Sequence, residues 1–121
     1  MATKECIYWG KVNILKRFGQ IAKLKSEMKD EYIRLHEDAW PEVLKTLKEC
    51  NIQNYSIFHF ELFCFAYFEY TGEDFEADMQ KMATDPITQK WWSHTKPCFE
   101  KFKFSGDDEY YVDMKEIFRL D

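Results

Sequence analysis

The segment Phe63-Cys64-Phe65-Ala66-Tyr67-Phe68-Glu69-Tyr70 decides how this chain folds. As a strand it sends successive side chains to opposite faces. Phe63, Phe65 and Tyr67 go one way, and Cys64, Ala66, Phe68 and Tyr70 go the other. Both faces are apolar, yet a sheet with its helices on one side covers only one of them. So large an apolar face left in water implies a covering surface. Just upstream, Tyr55 to Phe60 is a second aromatic-rich segment separated by a tight connection, which predicts a hairpin closed at its far end by Thr71-Gly72.

Further out, Arg17 to Leu24 alternates, with Phe18 and Leu24 among its apolar positions, and reads as the first strand. Ser26 is a good helix N-cap by residue type. After it, Met28, Tyr32, Leu35, Ala39, Val43 and Leu47 recur at spacings of three and four, predicting an amphipathic helix from about 27 to 50. Pro41 cannot donate to the carbonyl at Glu37, so this helix is kinked or forms two segments meeting at Asp38 to Pro41. Asn51, a residue type that tolerates the left-handed conformation, ends it. Phe75, Met79, Met82 and Ala83 mark a second helix, stopped at Asp85-Pro86. Ile87 to Phe99 is mixed in pattern, with a short helix carrying Trp91 and Trp92. Ser105 to Asp108 is an exposed loop, and Val112 to Leu120 alternates as the last strand.

The resulting order is βαββαβ, with strands near 17–24, 54–60, 63–70 and 112–120. Right-handed crossovers turn this order into a ferredoxin-like α+β fold, a four-stranded antiparallel sheet with both helices on one face. A twofold homodimer packing sheet on sheet is the simplest cover for the second face, giving a dimeric α+β barrel. At 121 residues the chain is one domain. Residues 1–15 show no clear period and are read as an N-terminal extension to the domain at 16–121.

Composition narrows the function classes. Apolar residues make up 45% of the chain and aromatic residues 18%, high for a small domain, and the formal charge is −5. Nucleic-acid binding needs a net basic stripe, so a nucleic-acid partner is not expected. No apolar run approaches the roughly 20 residues of a membrane span. Cys6, Cys50, Cys64 and Cys98 are widely spaced, with no CxxC pair and no zinc or redox motif. The first residues lack the apolar core of a secretion signal, so reduced thiols and a cytoplasmic location are expected. There is no glycine-rich phosphate loop, no HExxH and no nucleophile elbow. If the chain is an enzyme, what remains is proton transfer without cofactor or metal.

Tyr32 and His36 stand four apart in the first helix and project from one face. An imidazole able to titrate near neutral pH then sits beside a phenol. Tyr55, Trp91 and Trp92 add flat side chains that stack on a sugar ring and donate a hydrogen bond, the inventory of a carbohydrate site. Spacing alone leaves His36 open between a catalytic group and an ordinary hydrogen-bonded histidine. Tyr55, Trp91 and Trp92 are likewise open between site and core. His59 and His94 are read as incidental, and the acidic residues Glu73, Asp74, Glu76 and Asp78 as a helix first turn favoured by the dipole.

The motif Tyr32-x-x-x-His36-x-x-x-Trp40-Pro41-Glu42-Val43-Leu44 is followed by Asn54-Tyr55-Ser56-Ile57, Leu62 to Glu69, Trp91-Trp92 and Met114-Lys115-Glu116-Ile117-Phe118. Together these resemble the L-rhamnose mutarotase family from about Lys16 to Leu120. The resemblance implies a homodimeric α+β barrel that interconverts the α and β anomers of L-rhamnose or a related 6-deoxy sugar such as L-fucose. It also implies His36 as proton donor, with Tyr32, Tyr55, Trp91 and Trp92 around the sugar. Two features depart from the family: the turn His59-Phe60-Glu61-Leu62 lacks the usual polar or glycine residue, and residues 1–15 are additional. The rival expectations are a non-catalytic sugar-binding module and a monooxygenase or haem-binding protein on the same barrel.

Overall fold

The computed structural model describes the backbone of residues 3–8 and 11–121, and side chains from Leu15 onward. Strands β1 (Thr3–Tyr8) and β2 (Lys11–Leu24) form a hairpin and are followed by a 3-10 turn at Ser26–Met28. Helices α1 (Lys29–Glu37) and α2 (Pro41–Glu49) lead into strands β3 (Ile52–Phe60) and β4 (Phe63–Tyr70). Helices α3 (Phe75–Ala83) and α4 (Pro86–Thr95) precede the short strands β5 (Phe99–Glu100) and β6 (Val112–Met114). The fold is α+β, with one curled antiparallel sheet. Its path is β1-β2-β4-β3, and β5 and β6 also pair with β2. Since β4 occupies one edge of β2 from Lys16 to Lys23, the three short partners share the other edge in succession.

That shared edge explains two differences from the sequence reading. The first strand starts at Lys11 because β1 pairs with it from Tyr8↔Lys11 to Thr3↔Lys16, so the boundary drawn at residue 16 falls inside a continuous strand. The last strand stops at Met114, opposite Gly19, and not at Leu120. Continuing it antiparallel would bring it to Lys16, where β1 already sits. The remaining tail is held by an ion pair between Arg17 and Glu116 at 3.1 Å. It leaves Ile117, Phe118 and Leu120 79–89% exposed.

Pro41 divides the first helical region as its chemistry requires. Trp40 is extended (φ −69°, ψ 130°), the conformation favoured before proline, and Pro41 opens α2 where no amide donor is needed. Ser26 is not an N-cap. It lies inside the 3-10 turn, and no side chain caps either that turn or α1. Asn51 does adopt the left-handed conformation (φ 66°) after α2. Glu61 does the same (φ 58°), which lets the β3–β4 turn close without glycine.

The alternation of β4 is realised throughout, with Cys64, Ala66, Phe68 and Tyr70 buried and Phe63, Phe65 and Tyr67 half-buried. On the helix side Phe18 stacks on Phe68 at 4.6 Å between ring centroids. Fully buried Tyr70 donates to Asp78 and accepts from the Asp74 amide, tying the hairpin to α3. On the opposite face, Phe58 lies across from Phe65 and Phe60 across from Phe63, and both Phe58 and Phe60 are 68% exposed. Among the described residues no helix is long and apolar enough to cross a membrane. Cys50, Cys64 and Cys98 are free and buried.

Candidate functional site

A cavity of about 570 Å³ lies between the helix-facing side of the sheet and the helices, within the usual range for small-molecule sites. Val43, Leu47, Ile52, Ile57 and Phe68 supply much of its apolar wall. Its polar groups are Gln20, His36, Tyr55 and Thr88, with the two indoles Trp91 and Trp92.

His36 is carried on the last turn of α1, just before the break that Pro41 imposes. Its Nδ1 lies 2.8 Å from the Tyr32 carbonyl oxygen. A carbonyl only accepts, so Nδ1 carries the proton, and in the neutral ring Nε2 is the free basic nitrogen. The ring is held on two sides, by Tyr32 at 4.3 Å and by the edge of Trp91 at 5.2 Å between centroids. Burial lowers the His36 pKa below its ordinary 6.5, opposed in part by the bond to the Tyr32 carbonyl. At neutral pH the imidazole is therefore uncharged and able to accept a proton.

Tyr55 reaches the cavity because of an irregularity in β3. The register with β4 shifts between Gln53 and Ser56, where Asn54 takes φ 50°. Such a bulge re-aims the side chains that follow it, and here it brings Tyr55 to the same wall as Ile52 and Ile57. Tyr55 is 40% exposed as a whole, yet desolvation pushes its hydroxyl up to about 12, so it stays protonated and able to donate. No hydrogen bond to it is found among the described residues.

The adjacent tryptophans have different surroundings. Trp91 is 7% exposed and packs with Leu35 and Val43, its ring edge-on to His36 and Trp40. Trp92 is half-buried, and the Lys96 ammonium sits over its ring at 4.7 Å. Tyr32 stands behind the imidazole and does not line the cavity. It is 4% exposed, with its hydroxyl 2.7 Å from that of Tyr111. Burial raises the pKa of both phenols, and each is raised further by the nearby Tyr55. His59 is exposed on β3, and His94 packs against Trp40 at 5.5 Å, outside the cavity. Among the described residues no three His, Cys, Asp or Glu side chains are grouped to hold a metal.

Sequence reasoning missed Gln20, Thr88 and Tyr111. Gln20 was detectable as the one polar side chain on the helix-facing row Phe18, Gln20, Ala22, Leu24. Thr88 is 3% exposed and donates to Asp85 (2.9 Å), the residue that caps α4. Tyr111 meets Tyr32 across 79 positions of sequence and has no local pattern.

A family model described as L-rhamnose mutarotase matches residues 17–120. The L-rhamnose mutarotase of Oceanobacillus iheyensis is 35% identical over 107 residues, covering 88% of this chain and all of the relative. That of Bacillus subtilis is 34% identical over 110 residues, again covering 88% of this chain and all of the relative. The crystal structure of L-rhamnose mutarotase from Formosa agariphila superposes with a TM-score of 0.66 at 26% identity, covering 88% of this chain and 99% of that one. With the sequence match running from Arg17 in β2 through every later strand and every helix around the cavity, the chain belongs to the L-rhamnose mutarotase family.

Proposed function

We propose that this protein interconverts the α and β anomers of L-rhamnose, or of a closely related 6-deoxy sugar, in the cavity beside His36. The observation that carries this reading is the turned imidazole, with Nδ1–H spent on the Tyr32 carbonyl and the basic Nε2 left for the cavity. Ring opening breaks the C1–O5 bond, takes the proton from the anomeric hydroxyl and adds one to O5. Both oxygens are attached to C1, so one nitrogen reaches both. His36 takes the O1 proton and, as imidazolium, donates it to O5. Rotation about C1–C2 and the reverse sequence give the other anomer. Tyr55, protonated, stabilises the oxygen that carries the developing charge. Trp91 and Trp92 form the aromatic wall, and its apolar character suits the C6 methyl of a deoxy sugar. Tyr32 anchors the imidazole from behind the cavity wall, by its carbonyl on Nδ1 and its ring at 4.3 Å. No cofactor or metal enters this sequence.

The test is saturation-transfer NMR between the anomers of L-rhamnose, L-fucose and D-glucose, with and without protein. Acceleration is expected for L-rhamnose and weaker or absent for D-glucose. Equal exchange with and without protein for all three sugars would refute the reading. The same assay reports the pH dependence. A His36 pKa below 6.5 keeps the working neutral form populated above that pH, so kcat/KM is expected to be level there and to fall on the acid side. A kcat/KM that rose on acidification would make the imidazolium the working form.

We also propose a homodimer packed sheet on sheet. Phe58 and Phe60, each 68% exposed, and the half-buried Phe63 and Phe65 form an apolar face that water disfavours. Light scattering at micromolar concentration should give twice the chain mass of 14.7 kDa, and a single chain mass would count against it. Three free buried thiols are in keeping with a reducing compartment such as the cytoplasm.

A further inference from the structure

We propose that the segment Tyr111–Asp113 is a positioning strap for the sugar site, Tyr111 acting through Tyr32 and Asp113 through Gln20. The two grips come from three consecutive residues at the start of β6. Tyr111 presents its hydroxyl to that of Tyr32 at 2.7 Å. Asp113, directly opposite Gln20 in the β2–β6 pairing, accepts from Gln20 Nε2 at 2.9 Å. Neither strap residue lines the cavity, so Tyr111 acts through Tyr32 on His36, and Asp113 acts through Gln20.

What each grip fixes follows from its chemistry. Tyr32 holds the catalytic imidazole twice, by its carbonyl on Nδ1 and by its ring at 4.3 Å. Its buried hydroxyl has Tyr111 as its bonded partner, and losing that partner leaves a polar group unsatisfied and the ring free to shift. Tyr111 is itself braced, edge-on to Phe99 at 5.4 Å, and Phe99 also packs edge-on to Tyr32 at 5.1 Å. A carboxylate only accepts, so Asp113 dictates that the Gln20 amide nitrogen faces it. The Gln20 side chain lines the cavity with that orientation set.

The strap rests on the mutarotase reading, and its test separates the two. In the anomer-exchange assay with L-rhamnose, Tyr111→Phe is expected to lower kcat at least five-fold with KM changed less than two-fold. Asp113→Ala is expected to raise KM at least five-fold with a smaller change in kcat. Neither is expected to add to its partner: Tyr111→Phe should change nothing further on a Tyr32→Phe background, nor Asp113→Ala on a Gln20→Ala background. A merely structural role would not divide kcat from KM between the two arms, and the absence of that split, effects that multiply within either pair, or unmodified kinetics in both single variants overturns the strap. Asp113 is exposed on a short edge strand, so its arm stands even where Tyr111→Phe fails to fold. Should the unmodified protein accelerate no sugar, the ¹⁵N shifts of the His36 ring decide the Tyr111 arm. They move in Tyr111→Phe if the strap holds the imidazole through Tyr32, and unchanged shifts refute it.

Discussion

Replacing His36 with asparagine is expected to slow anomer exchange by about two orders of magnitude or more, because it removes the basic nitrogen that takes the proton from O1 and returns it to O5, and leaves a polar side chain in the cavity. The fold should persist. His36 is half-buried at the end of α1, next to the break before Pro41, and the core stripe of Tyr32, Leu35 and Val43 is untouched. Tyr32→Phe should slow exchange less. It keeps an aromatic ring beside His36 and Phe99 and the backbone carbonyl on Nδ1, losing the hydroxyl bond to Tyr111 that fixes the ring's position. Saturation-transfer NMR on both variants and their combination measures the division of roles. If His36→Asn exchanged L-rhamnose at the unmodified rate while binding it normally, the catalytic role would lie elsewhere. If Tyr32→Phe matched His36→Asn, the phenol would be an equal partner in the proton transfer and not an anchor.

What was legible in the sequence follows from the range of the interactions involved. The strand β4, the split at Pro41, the left-handed Asn51 and the stop of α3 before Asp85-Pro86 are set by a few neighbouring residues and were readable. So was the pairing of Tyr32 with His36, because helical spacing fixes it. The end of β6 was not readable, since the Val112–Leu120 alternation is sound locally and is overridden by β1 occupying the edge it would need. Competition for one strand edge between residues a hundred positions apart leaves no local mark. Tyr55 was left open between site and core, and the bulge that puts it on one wall with Ile52 was not foreseen, since an asparagine in a strand does not by its type show that it takes positive φ. The same limit hid Tyr111 and Gln20: their roles depend on which distant residue lies opposite.

The tryptophan pair separates into two expected effects that the sequence could not divide. Trp91 is 7% exposed among Leu35 and Val43 and is also an edge contact to His36. Truncating so buried an indole leaves a large cavity, so Trp91→Ala is expected to cost about 3–5 kcal/mol of stability. For a domain of this size that lowers the melting temperature by roughly 10 °C or more, and the His36 ring loses its lateral support in the fraction that stays folded. Trp92 is half-buried, lines the cavity and has Lys96 over its ring, so its truncation removes less core. A stacking face acts on the bound sugar and on the transition state alike. Trp92→Ala should therefore raise KM while leaving kcat close to unmodified, with a small change in melting temperature. Thermal melts and exchange rates over a range of L-rhamnose concentrations measure both. A Trp91→Ala protein that melted with the unmodified one would remove the indole from the core. A Trp92→Ala protein with lowered kcat and unchanged KM would show that this ring acts on the reacting atoms and not on sugar binding.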